Sequence, residues 1–281
     1  MEIEQGQVEK VREYLKALRE EIRKLAIFPR SAGAVFDSVA CTILSKTCSL
    51  ADAVLILIES GHSEEAYGLA RSIFECSLNL RYMTQDQDQR ESRARDFANY
   101  FYKERQYWYA QGKQVITDQI MLAEMDQYAA DNGIVPNARP ALAHWSGLPN
   151  FVWQVIQMDH PLDGTTYGLT RRKADYAVAY HATSAYVHAS YHAIHGYLVR
   201  LFGSTRKPYQ PNLKSDGDRQ EGLKSLFTIL DHVHQAVRYM MFGMEVADTK
   251  EIDRLFGECL SYLVPVGRMH RPENVYRKVY S

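Results

Sequence analysis

Apolar residues recur along this chain at three- and four-residue intervals, the spacing of one face of an α-helix. Val8, Val11, Leu15, Leu18, Ile22 and Leu25 keep that interval with charges between them, which predicts a first helix over 4–26. Pro29 and Ser31-Ala32-Gly33 stop it. A second helix is predicted over 34–59, ended by Ser60-Gly61, and a third over 63–83. Ser63 is expected to cap the third, with Glu64 and Glu65 placed to complement its dipole. The polar turn 84–89 leads into a long fourth helix over 90–130, which Gly112 is expected to bend and Asn132-Gly133 to end. Four prolines make 133–170 mostly loop, with one short helix near 150–157. Main helices follow over about 171–202, 221–246 and 249–263. No segment alternates as a strand does. The expected fold is all-α: one helical domain over 1–281 with its core at about 34–202. The N-terminal helix and the 221–263 pair would pack on that core.

The 171–202 helix stands out. From Tyr176 to Val199 it holds no Asp, Glu, Lys or Arg, in a chain that is 24% charged. Such a stretch belongs in the interior, and its four histidines and three Ser/Thr residues argue against a membrane span. It is therefore expected at the centre of the bundle. At 100° per residue, His181, Ser184, His188, His192 and His195 project from one stripe roughly 80° wide. Three readings stand side by side. The imidazoles are neutral and hydrogen-bonded in the core, or they face a groove or a dimer partner, or they line a pocket capable of acid–base chemistry. His188 and His192 have the i, i+4 spacing of two ligands to one metal ion. The glutamate of a zincin is missing between them, so Glu75 or Asp52 would have to complete the set.

The third helix contains Arg71-Ser-Ile-Phe-Glu75, then Asn79 and Arg81-Tyr82. Arg71, Glu75 and Tyr82 share one side, and Leu69, Ile73 and Leu80 the other. A solvated i, i+4 ion pair is the plain reading, but Arg before Glu is the weaker order for a helical pair. Tyr67 and Leu78 also lie on the charged side, so Arg71 and Glu75 are expected to be covered and to need partners. Ser184 and His188 are the expected partners.

Composition narrows the function classes. A formal net charge of −1 gives no global attraction to nucleic acid or anionic lipid, so RNA binding would need a local patch. Cys41, Cys48, Cys76 and Cys259 form no C-x-x-C pair and read as reduced thiols. Met1-Glu-Ile-Glu-Gln lacks the apolar core of a signal peptide, and the longest apolar run, 53–58, is too short to span a bilayer. A cytoplasmic chain with no membrane partner and no cofactor is expected.

Glu64-Glu-Ala-Tyr-Gly-Leu-Ala-Arg71-Ser-Ile-Phe-Glu75, then Asn79-Leu-Arg81-Tyr82, resembles a widespread prokaryotic family of helical proteins of unknown function. Tyr180-His-Ala-Thr-Ser184-Ala-Tyr-Val-His188 looks like that family's second signature, Y-x3-S-x3-H, and Arg95, Phe97 and Tyr100 resemble the stretch between. The likeness spans roughly 50–200. It implies an all-helical fold and names Arg71, Glu75, Ser184 and His188 as site residues. A more distant likeness is to HEPN helical bundles, many of them ribonucleases of toxin or antiphage systems. Their single-helix Arg-to-His spacing is absent here, and Arg71 with His188 from two helices would replace it. Two functions follow. In one, His188 is the general acid or base of a metal-independent ribonuclease or phosphodiesterase, Arg71 stabilises phosphate, Glu75 orients Arg71, and Ser184 positions substrate or water. In the other, the same four residues form a buried structural network in a non-catalytic interaction module. The partners these imply are RNA, a second copy of the chain, or another protein.

Overall fold

In the computed structural model, residues 5–24, 35–131, 144–163, 173, 176–182 and 219–263 are described, and among them the regular structure is helical with no strand. The helices are α1 (Gln5–Lys24), α2 (Val35–Glu59), α3 (Ser63–Thr84), α4 (Arg90–Val115), α5 (Gln119–Asp131), α6 (Phe151–Gln157), α7 (Arg219–Gly243) and α8 (Lys250–Leu263). A 3₁₀ turn at Gln87–Gln89 links α3 to α4, and Tyr176–Ala182 winds as a π-helical segment.

α3 packs against α7 on one side and α2 on another, and α2 also touches α7. Phe36, Leu55, Ile73, Phe74, Leu80, Leu226 and Ile229 close the core between these three. Each such side chain removed from water contributes about 1.5–3 kcal/mol. α1 lies against α8 at the flank, burying Val8, Val11, Leu15 and Leu18.

α2 ends as its sequence requires. The Gly61 N–H donates to the Ile58 carbonyl at 3.0 Å, and the His62 N–H to Leu57 at 2.8 Å. Gly61 takes φ +80°, the left-handed conformation that suits glycine in this closure. Ser63 does not cap α3, however. It is the first helical residue and is buried, and His62 holds the cap position without a side-chain hydrogen bond. The two-residue turn leaves Ser63 already inside the helix.

The predicted 90–130 helix is two helices, and the break is not at Gly112. The β-branched run Val115-Ile116-Thr117 gives way to Asp118, whose carboxylate accepts the N–H groups of Ile120 (2.8 Å) and Met121 (3.0 Å). That is an N-cap, and it starts α5 as a new helix. Gly112 serves another purpose: a Cβ there would lie 2.8 Å from Met125 Cε.

α2 is long and apolar enough to cross a membrane by length and composition, which the short run 53–58 did not suggest, and half of its apolar window is buried. Thr, Ser, Ala and Cys between its large residues extend the charge-poor stretch. Among the described residues the centre belongs to α3 and α7. Of the predicted 171–202 helix, only 173 and 176–182 are described, and the segment packs against α3 and α6.

Candidate functional site

The outer side of α3 carries a connected set of polar groups. Arg71 Nε donates to Glu75 Oε1 at 2.8 Å, one helical turn apart. The guanidinium carbon sits 4.2 Å from the centre of the Tyr180 ring. This contact joins the R-x3-E helix to the first residue of the Y-x3-S-x3-H segment. The pair is partly covered: the Arg71 side chain is 14% exposed and Glu75 39%. One carboxylate oxygen of Glu75 faces Arg71, and among the described residues the other has no hydrogen-bond partner.

Around that pair stands a wall of rings. Tyr180 stacks on Tyr176 with centroids 5.4 Å apart, and Tyr176 meets Trp153 edge-on at 5.0 Å. On the other side His144 stacks on Phe151 at 3.8 Å. Trp145 is inserted among Tyr82, Phe97 and Phe151. Its indole N–H donates to Asn79 Oδ1 at 2.8 Å, while the Asn79 amide donates to the Glu75 carbonyl at 2.9 Å. Asn79 thereby ties the 144–153 segment to the turn of α3 that holds Glu75. Together these elements border an open cavity of about 490 Å³ lined by Glu75, Asn79, His144, Phe151, Trp153, Tyr176 and Tyr180. That lies within the roughly 300–1,000 Å³ typical of small-ligand sites.

The tautomer of His144 follows from its neighbours. The Ser146 backbone N–H reaches its Nδ1 at 3.3 Å, and the Ser146 hydroxyl lies 2.9 Å from the same atom. Nδ1 therefore accepts, and the proton of the neutral ring sits on Nε2. Burial pushes the imidazole down to about 4, so it is neutral at physiological pH.

A second cluster fixes the far end of the same wall. Arg81 is 4% exposed and grips both oxygens of Asp163 at 2.6 Å, with further hydrogen bonds to Tyr239 Oη (2.9 Å) and the Met158 carbonyl (2.7 Å). Burial opposes its charge, but the Asp163 hydrogen bonds prevail and raise it above the ordinary arginine value. Next to it, the Leu162 N–H donates to His160 Nδ1 at 3.0 Å, and His160 Nε2 reaches Thr84 Oγ1 at 3.1 Å. This cluster holds residues 158–163 onto α3 and α7.

Of the predicted site residues, Arg71 and Glu75 are hydrogen-bonded to each other on α3. Ser184, His188 and His192 lie outside the described residues. Asp52, named as a possible metal ligand, pairs instead with Arg19 at 2.7 Å across the α1–α2 contact. Among the described residues no three His, Cys, Asp or Glu side chains gather as a metal site would require. Sequence reasoning passed over His144, Trp145 and Trp153 because Pro and Gly marked their segment as loop. The signal was their density: four aromatic or imidazole rings within 144–153.

The model of a family of unknown function (DUF5677) matches residues 37–204. The chain belongs to that family. Neither the curated proteins nor the solved structures searched contain a match. The DUF5677 match takes in α3, the aromatic wall and both sequence signatures, whereas α1, α7 and α8 lie outside it. Tyr239, which completes the grip on Arg81, thus comes from beyond the matched region.

Proposed function

We propose that this DUF5677 chain acts on RNA as a metal-independent ribonuclease or phosphodiesterase, of the HEPN-like kind found in toxin and antiphage systems. The contact between Arg71 and Tyr180 carries the reading. It brings the two signatures side by side at the edge of a ring-lined cavity, which suits a nucleotide with its charge on one side and its base on the other. Arg71 binds the phosphate and its developing negative charge, and Glu75 orients Arg71. His188 serves as general acid or base and Ser184 positions the attacked group, roles assigned from the sequence signature. That Cys41, Cys48, Cys76 and Cys259 form no disulfide is consistent with a cytoplasmic setting.

One observation favours the second reading, a non-catalytic interaction module. Arg71 is already held by Glu75 and by the Tyr180 face, and such a closed network sets helix register without chemistry. Cleavage of RNA by the purified chain in EDTA decides between the two. Activity that disappears in His188→Ala with an unchanged melting curve supports the enzyme. Absence of cleavage, with Arg71→Ala lowering only stability, supports the network.

A further inference from the structure

We propose that the cavity beside Glu75 is a base-recognition site for guanine, the RNA base that presents adjacent imino and amino N–H donors on one edge. The proposal rests on the RNA reading above and names which base that site selects.

The chemistry of the lining makes the choice. Trp153 and Tyr176 offer faces and edges on one side, His144 stacked on Phe151 on the other, and a flat heterocycle gains from both. At the wall between them Glu75 presents a carboxylate, an acceptor-only group whose second oxygen has no hydrogen-bond partner among the described residues. A carboxylate accepts two parallel N–H bonds from neighbouring donors, and guanine N1–H and N2–H2 supply such a pair. Adenine and cytosine each bring an amino group beside a ring acceptor, which the carboxylate repels. Uracil flanks its one imino N–H with two carbonyl oxygens, which are also repelled.

A cationic ligand is disfavoured although aromatic rings and a carboxylate would ordinarily attract one. Arg71 lies 2.8 Å from the same carboxylate and neutralises it, so a neutral donor edge gains more there than a second full charge. Asn79 is less suited than Glu75 to read that edge. One of its two amide N–H groups donates to the Glu75 carbonyl and its oxygen already accepts from the Trp145 indole, and it offers no pair of equivalent acceptors as a carboxylate does. His144 also lines the cavity, and its ring proton sits on Nε2, a donor of the kind suited to a purine carbonyl or ring nitrogen.

The experiment is calorimetric titration of the full chain with guanosine, inosine, adenosine and uridine monophosphates. Guanosine monophosphate is expected to bind best. Inosine monophosphate, which lacks only the N2 amino group, should bind roughly tenfold more weakly or worse. Glu75→Gln keeps an acceptor for Arg71 but offers an N–H toward the cavity. It should abolish the guanine-over-inosine preference while melting like the parent. Trp153→Ala should weaken all purines alike. Equal binding of the four nucleotides, or a preference unchanged in Glu75→Gln, overturns the proposal. So does displacement of guanosine monophosphate by tetramethylammonium, which would mark a cation cage, and so does no binding of any nucleotide. Selective guanosine binding without RNA cleavage would leave the base site standing and remove the ribonuclease reading. Cleavage indifferent to guanine would do the reverse.

Discussion

Arg81 and Asp163, 82 positions apart, meet through two parallel hydrogen bonds of 2.6 Å in a nearly solvent-free setting. The pair anchors the end of the segment that carries the aromatic wall onto the last turn of α3. Removing one partner leaves a charge buried and uncompensated. Arg81→Met is therefore expected to cost about 3–5 kcal/mol in chemical denaturation. Arg81→Met combined with Asp163→Leu should recover much of that loss, since an apolar pair of similar volume needs no counter-charge. A double variant as unstable as the single one would show that the polar pair itself is needed.

Acid should destabilise the fold before carboxylates titrate. Burial, with the Arg81 charge beside it, pushes His160 down to about 3, against about 6.5 for a free imidazole. Its Nδ1 accepts the Leu162 N–H, so a proton there would break that bond. The folded state therefore resists a proton that the unfolded chain takes up readily. Stability is unaffected by His160 above about pH 6.5 and falls as pH drops below it, by at most about 1.4 kcal/mol per unit, until about pH 3. His144 adds a similar slope that ends near 4. Urea melts between about pH 7 and pH 5 should show the decline, and His160→Gln should make it shallower.

At Gly243 the backbone of α7 lies tight against side chains of α2 and α3. A Cβ at this position would lie 2.3 Å from Phe36 Cζ and 2.6 Å from Thr84 Cγ2. Gly243→Ala improves helix propensity by up to about 1 kcal/mol, but the ring and methyl it strikes are both buried. Overpacking should win, with a net loss on the order of 1–3 kcal/mol. A variant that melts at or above the parent would mean that Phe36 repacks freely.

In the proposed ribonuclease, His188→Ala should lower cleavage by about 10²–10⁴-fold at unchanged stability. Arg71→Lys is the more discriminating change. Lysine keeps the charge but loses the planar stack on Tyr180 and the Nε–H to Glu75. It should reduce kcat more than it raises KM if Arg71 acts on charge that develops in the transition state. Equal effects on both variants' melting curves and activity would assign Arg71 to structure.

Much of the helix plan was legible in the residues. The 3.6-residue period of α1, the Ser60-Gly61 stop of α2 and the start of α8 depend on neighbours a turn away, and local patterning carries that kind of information. Arg71 with Glu75 was legible for the same reason, being four residues apart on one helix. Asp118 was missed as a cap because a polar residue inside a long periodic stretch looks like part of its solvated face. The sequence pattern places α7 on the outside of the core, yet it buries Ser225, Thr228, Asp231 and His232 beside α3. Its mixed pattern of polar and apolar residues conceals burial on several sides.

Periodicity alone therefore determined an all-α chain, most helix ends and one half of the candidate site. Tertiary structure decided which helices form the centre, that Arg81 is a buried clamp where Arg71 is a largely covered neighbour of a cavity, and that a segment of rings lies beside Glu75. Those outcomes rest on residues brought together across 66 to 158 positions, as in Trp145 with Asn79 and Arg81 with Tyr239. No local signal encodes such pairings, because the free energy that selects them comes from packing and desolvation of the whole assembly.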